Sequence, residues 1–205
     1  MSKELIFYTN PQSRGAIAHW MLEEVGAPYQ TKVLDFGTTM KAPEYLAINP
    51  MGKVPALVHD GTVVTEAAAI CAYLADAFPE AGLAPPPESR GEYYRWLFFA
   101  AACFEPAVSN HAMGWDSDDP KMMGRLGYGS YEDVLDTTAV WLTDRKYVTG
   151  NRFTAADVYL GSQIGFGMAF GIIEKRPEFV NYWDGLKDRP AHLRSLERIE
   201  AMKSN

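Results

Sequence analysis

Apolar residues fall into short runs at the start of the chain and shift to helical spacing beyond the first third. Leu5-Ile6-Phe7-Tyr8 is a continuous apolar run, as a strand buried on both faces requires. Thr9 to Gln12 reads as a loop. Ser13 is placed to cap a helix that ends at Gly26, with Ile17, Trp20, Met21 and Val25 on one face. Glu23 and Glu24 fall on the opposite face, near the C-terminal end, where the helix dipole does not favour them. Tyr29, Thr31 and Val33 alternate as a second strand, and the order strand, helix, strand predicts a parallel pair with a right-handed crossover. Residues 42–48 make at most a short helix. Pro55 to Val58 and Val63 to Thr65 flank Asp60-Gly61, a tight-turn pair between two β-branched runs. Ile70, Tyr73, Leu74 and Phe78 then take helical spacing. The first unit therefore reads β-α-β-α-β-β-α, a mixed four-stranded sheet with helices on its faces.

The period changes after Pro79 to Arg90. That stretch holds Pro79, Gly82 and Pro85-Pro86-Pro87, so it cannot be a continuous helix and reads as a linker. Helical spacing then covers residues 92–105, roughly 121–142, 155–172, 178–187 and 191–202, with only a brief strand-like pair at Tyr147-Val148. The second unit is expected to be all-helical. The domain boundaries that follow are 1–80, a linker over 81–90, and 91–205. Phe153-Thr154-Ala155-Ala156-Asp157 carries a capping box, in which Thr154 and Asp157 exchange hydrogen bonds at a helix start. Its role is structural.

Composition narrows the function classes. The chain has 205 residues, 47% hydrophobic and 22% charged, a balance that supports a folded core. Its net charge of −7 disfavours nucleic acid or an anionic membrane as main partner, because both call for a basic surface. The apolar run from Leu97 to Phe104 is far shorter than the roughly 18 residues of a membrane span. The N-terminus reads as the approach to a strand and not as a signal peptide. Cys71 and Cys103 each fall in an expected helix, and two reduced thiols in a cytoplasmic protein is the simplest reading. The four histidines are scattered without metal-ligand spacing, so no metal is expected. No phosphate-binding glycine loop and no Ser-His-Asp arrangement is present.

The stretch from Asn49 to Ile70 concentrates the candidate chemistry. It places Lys53-Val54-Pro55 before one strand and Thr65-Glu66-Ala67 at a helix N-terminus. Loop backbone at Val54 and helix backbone at Ala67 would lie at neighbouring ends of one small sheet, a clamp for a peptide-like anion.

The opening YTNPQSRGAIAHWMLEEVGAPY, then NPMGKVPAL, TEAAAICAYLAD, the proline linker and FTAADVYLGS, resembles the cytosolic glutathione S-transferases, specifically the bacterial or fungal type. The resemblance covers nearly the whole chain. It implies a thioredoxin-like N-terminal domain, an all-helical C-terminal domain, a homodimer in the cytoplasm, and glutathione as co-substrate. It implies a cis bond before Pro55, with the backbone of Val54 meeting the cysteinyl unit of glutathione. Lys53 would face the glycyl carboxylate, and Glu66 the γ-glutamyl amine. Ala67 would offer its N–H to the γ-glutamyl carboxylate, where relatives usually carry Ser or Thr and so a hydroxyl as well.

For activation of the thiol the resemblance offers three residues of the first loop, and the choice among them stays open. Ser13, beside Arg14, matches the serine-type subgroup and is preferred. Tyr8 and Asn10 are the alternatives, and no cysteine stands there for thiol–disulfide exchange. A second, hydrophobic substrate would meet Phe98, Phe104, His111 and Trp115, with Tyr93 nearby. The implied activity is detoxification-type conjugation of the glutathione thiolate to small hydrophobic electrophiles. The competing readings are a non-catalytic binder or interaction protein of the same fold, and a glutathione-dependent isomerase or peroxidase.

Overall fold

The computed structural model describes residues 4–203, which divide into two compact units: residues 4–83 with 189–203, and residues 84–188. The first is built on a four-stranded sheet of order β2-β1-β3-β4. β1 (Leu5–Thr9) pairs in parallel with β2 (Gln30–Val33) and antiparallel with β3 (Ala56–His59), which pairs antiparallel with β4 (Thr62–Thr65). The parallel pair is forced by α1 (Gly15–Val25), which carries the chain back across the sheet. β2 is one of the two edge strands, and all four of its residues are exposed. Asp60 and Gly61 both take positive φ, +48° and +81°, the left-handed pair that matches the twist of a two-residue hairpin. α2 (Pro43–Leu46) and α3 (Ala67–Ala77) complete the thioredoxin-like arrangement expected from the sequence.

Helix α1 is anchored to both the sheet and the end of the chain. Ile17, Trp20, Met21 and Leu22 are buried. α10 (Pro190–Lys203), which the sequence pattern assigned to the helical unit, groups with the first unit and packs against α1. This explains the two carboxylates that the dipole disfavours. Glu24 is not on a solvent face: it accepts two hydrogen bonds from Arg189, at 2.7 and 2.8 Å, and one from Trp20 Nε1 at 2.9 Å. Glu23 is buried and meets Arg194 at 3.1 Å and Arg198 at 3.0 Å.

The second unit is helical. α4 (Gly91–Phe99) runs through one wider, π-helical turn over Ala100–Phe104 into α5 (Glu105–Ala112). The helix was expected to stop at Glu105. It continues past Pro106, and the wider turn directly ahead of the proline is the kind of irregularity by which a helix absorbs a missing N–H. The single helix expected over residues 121–142 is instead two, α6 (Pro120–Met123) and α7 (Tyr131–Leu142). Gly124, Gly127 and Gly129 interrupt it, and Gly129 sits at φ +75°. α8 (Ala155–Ala169) and α9 (Pro177–Asp184) follow.

The capping box forms as read, and it does more than cap. Asp157 has no exposed surface and accepts from the Thr154 N–H (2.8 Å), the Thr154 hydroxyl (3.0 Å), the Val148 N–H (2.7 Å) and the Tyr182 hydroxyl (2.9 Å). Burial raises its carboxyl to about 6 against the pull of those four bonds. Tyr147-Val148 contributes only an isolated bridge, Tyr147 to Gly150. Both cysteines are free thiols, and burial pushes Cys71 well above its usual range. Among the described residues no helix is long and apolar enough to cross a membrane.

Candidate functional site

The first unit holds a cleft of about 260 Å³ at the start of α1. Ser13, Arg14, Lys53 and Val54 line it, together with Gln12, Phe36, Met40, Lys41 and Gly52. No carboxylate is among its lining residues, although the chain carries a net charge of −7. Three cationic side chains around one cavity give it a positive potential.

One wall is the loop from β1 to α1. Gly15 lets the helix start directly against the strand: a Cβ there would stand 2.0 Å from Thr9 Oγ1. Asn10 ties this loop to the end of β2, its amide donating to the Leu34 carbonyl at 2.8 Å and its side-chain oxygen accepting the Gln12 N–H at 2.9 Å. The Ser13 hydroxyl donates to the Asn10 carbonyl at 2.7 Å and accepts the Gly15 N–H at 3.0 Å. Ser13 was expected at the capping position; it stands one residue before it, Arg14 takes that position, and the Ser13 hydroxyl still holds the first turn through the Gly15 N–H. Its proton is committed to a carbonyl that a better acceptor could displace.

The other wall is the loop into β3. The Tyr45 hydroxyl and the Asn49 amide both donate to the Lys53 carbonyl, at 2.5 and 2.8 Å, and fix the backbone just ahead of Val54. Burial pushes the Tyr45 phenol up to about 12, so it remains a donor. The Val54-Pro55 bond is cis, as the resemblance implied. Gly52, at φ +55°, allows close approach: a Cβ would lie 2.7 Å from the Met40 carbonyl oxygen and 2.8 Å from Lys41 Nζ.

Glu66 and Ala67 stand at the start of α3 and do not line this cleft. Glu66 takes φ +66°, a region that costs a non-glycine residue of order 1–3 kcal/mol and is found where function holds it. Its side chain does not cap the helix, and among the described residues its carboxylate has no hydrogen-bond or ionic partner. Tyr8 is buried in a cluster with Met40, Tyr45 and Ala56, and its hydroxyl makes no hydrogen bond among the described residues. Lys41 is the residue that the sequence reading missed. It sits in a single 3₁₀ turn (Thr39–Lys41) outside any motif, and only the fold brings it to the cleft.

The residues expected to meet a second substrate lie in the second unit and differ in exposure. Phe98 and Trp115 are 65% and 70% exposed, whereas Phe104 has no exposed surface and belongs to the core. His111 lines a separate cavity of about 320 Å³, stacked on Tyr131 and bonded to Asp116 at 2.6 Å. Among the described residues no group of His, Cys, Asp or Glu is placed to hold a metal ion.

Comparison with known proteins decides the family. Residues 3–76 match the model of the glutathione S-transferase N-terminal domain. Glutathione S-transferase GST-4.5 of Xanthomonas campestris is 33% identical over 162 residues, 75% of this chain and 78% of that protein. The chain belongs to the glutathione S-transferase family. The solved glutathione transferase of Methylococcus capsulatus superposes with a TM-score of 0.79 at 28% identity, over 96% of this chain and 99% of that one. A sphingomonad glutathione S-transferase, solved in complex with glutathione, gives 0.78 at 27% identity over 95% and 98%. The thioredoxin-like and helical units described above are therefore those of a glutathione transferase.

Proposed function

We propose that this transferase binds glutathione in the cleft between the start of α1 and the loop before Pro55, and joins its thiolate to small hydrophobic electrophiles. The observation that carries this reading is the cleft itself, where Ser13, Arg14, Lys41, Lys53 and Val54 converge without a carboxylate. Lys53 and Lys41 take the glycyl carboxylate, and the Val54 backbone takes the cysteinyl amide. Glu66 takes the γ-glutamyl amine, and the Ala67 N–H, at a helix N-terminus, takes the adjacent carboxylate. Without a hydroxyl at Ala67, one hydrogen bond worth about 1.5–3 kcal/mol is forgone there.

A free thiol ionises near pH 8.5, so only a small part is thiolate at neutral pH. In the serine-type reading, the Ser13 hydroxyl turns from the Asn10 carbonyl to the sulfur and stabilises the thiolate. The sulfur lone pair then forms the C–S bond and the leaving group departs with its electrons. Arg14 adds positive potential. The same reading takes 1–80 and 91–205 as the two domains, joined by 81–90, in a cytoplasmic homodimer that serves detoxification.

The test is conjugation of chlorodinitrobenzene, with glutathione affinity measured in parallel. Ser13→Ala is expected to lower kcat/KM by about 100-fold, the usual cost of removing one donor to a developing anion, while glutathione still binds. An unchanged rate removes Ser13 from the role and moves it to Tyr8, whose hydroxyl is uncommitted. One observation favours a second reading, a non-catalytic glutathione binder: both functions of the Ser13 hydroxyl are used by the loop. Wild-type protein that binds glutathione and conjugates nothing would establish it.

A further inference from the structure

Helix α10 covers α1 with little apolar surface, because its buried residues are Ala191, His192, Ser195 and Ile199. Charge fastens it instead. Arg189, just ahead of the helix, holds Glu24 by two bonds. Arg194 and Arg198 meet the buried Glu23 carboxylate at 3.1 and 3.0 Å, and Arg194 also donates to the Glu23 carbonyl at 3.0 Å.

His19 lies beneath the second of these fastenings. It is 1% exposed and stacks on Phe7 of β1, with ring centroids 5.7 Å apart. The Tyr29 hydroxyl donates to Glu23 at 2.7 Å, so the 2.7 Å contact between that oxygen and His19 Nε2 is a bond donated by His19. Neutral His19 therefore carries its proton on Nε2. Its Nδ1 is bare, buried and without a hydrogen bond, and lies toward the backbone of Ser195 on α10. The charged groups that act on this ring are Glu23, from its own helix, and Arg198, from α10. The Arg198 guanidinium stands 5.7 Å from the centre of the Tyr29 ring. His192, the other imidazole of this interface, stacks on Trp20 at 4.5 Å.

We infer that α10 is an acid-released latch: a proton on His19 Nδ1 detaches the helix from α1, with the Arg189–Glu24 pair as the hinge. An imidazolium cannot be hydrated while α10 covers it, and it adds a third cation beside Arg194 and Arg198 against the single charge of Glu23. A bond to the Ser195 backbone and the Glu23 charge favour the proton, but burial outweighs them and holds His19 down at about 4, against 6.5 when hydrated. Closure is therefore fully present above pH 6.5 and is lost as the pH falls through 4. Glu23 keeps its charge through most of that fall. Burial acts to raise its carboxyl, but the bonds from Tyr29 and Arg194 bring it below its usual value. Lifting α10 wets the imidazole and leaves the sheet beneath α1 in place.

The test is hydrogen exchange on the full chain between pH 7 and pH 5, read as protection factors, which remove the pH dependence of the intrinsic rate. Protection over 190–203 is expected to lie about tenfold or more below that of β1 and β3 throughout. It is also expected to fall about 20-fold from pH 7 to pH 5, the factor that a closed midpoint of about 4 and an open one of 6.5 give. His19→Gln flattens that fall, and His192→Gln keeps it. Equal protection over α10 and the sheet overturns the latch, because the opening is then global. So does a fall that survives in His19→Gln, or one that disappears in His192→Gln. Where His19→Gln does not fold, the wild-type chain decides: protection over 190–203 has to be lost along the NMR titration of the His19 imidazole, and a loss that runs apart from it overturns the proposal.

Discussion

Removing Glu24 or Arg189 tests how firmly the end of the chain is fastened to helix α1. The Glu24 side chain is 7% exposed and that of Arg189 28%. The pair is bidentate, at 2.7 and 2.8 Å, and Trp20 Nε1 adds a third bond to the carboxylate at 2.9 Å. An exposed ion pair is worth about 0–1 kcal/mol, whereas cutting one partner from a buried pair costs about 3–5 kcal/mol. Here the two partners differ. Arg189→Ala leaves a buried carboxylate with only the indole donor, so it falls near 4 kcal/mol, about the middle of that range. Glu24→Gln leaves a guanidinium that water can reach, at about 2 kcal/mol. For a chain of this size each kcal/mol moves Tm by about 2–4 °C. The expected order is therefore a larger Tm loss for Arg189→Ala than for Glu24→Gln. The double variant closes a cycle with a coupling of about 2 kcal/mol. Calorimetry on the four proteins measures this. A coupling under about 0.5 kcal/mol, or a reversed order, refutes the claim that this pair holds α10 in place.

The neighbouring cluster gives a pH dependence. Burial, opposed by the nearby Glu23 charge, holds His19 down at about 4, against 6.5 in the unfolded chain. The unfolded chain takes up this proton first as pH falls. The stability is therefore present above pH 6.5 and lost on the way down through 4, at most about 3 kcal/mol. In urea titrations from pH 7 to 4, His19→Gln is expected to flatten that decline; a wild-type slope in the variant would show that His19 does not set it. Gly52→Ala places a Cβ 2.7 Å from the Met40 carbonyl oxygen at a backbone of φ +55°. It should raise the KM for glutathione about tenfold with little change in kcat, and an unaltered KM would show that Lys41 and Lys53 do not bind together.

What could be read from the sequence was what neighbouring residues decide together. The parallel β1–β2 pair and the β3–β4 hairpin follow from one apolar run, one alternating strand and the Asp60-Gly61 turn. Asp157 three residues after Thr154 marks its own helix start. Lys53, Val54 and Pro55 are consecutive, so half of the candidate cleft was visible as a string. What could not be read depends on partners far along the chain. Glu23 and Glu24 looked misplaced because the arginines that answer them stand more than 160 residues later. Lys41 carries no local pattern that separates it from a solvated lysine. The break between α6 and α7 stands at Gly124, Gly127 and Gly129, while apolar residues continue on both sides of them.

The packing of α10 on α1 also orders events on the ribosome. The sheet and its first three helices are encoded by residue 83, but the arginines that neutralise Glu23 and Glu24 arrive only from Arg189 onward. At roughly 5–20 residues per second, several seconds separate the two. Through that interval the nascent first unit carries two uncompensated carboxylates and an uncovered Trp20. It can collapse early and still reach its final stability only when the helical unit has been translated.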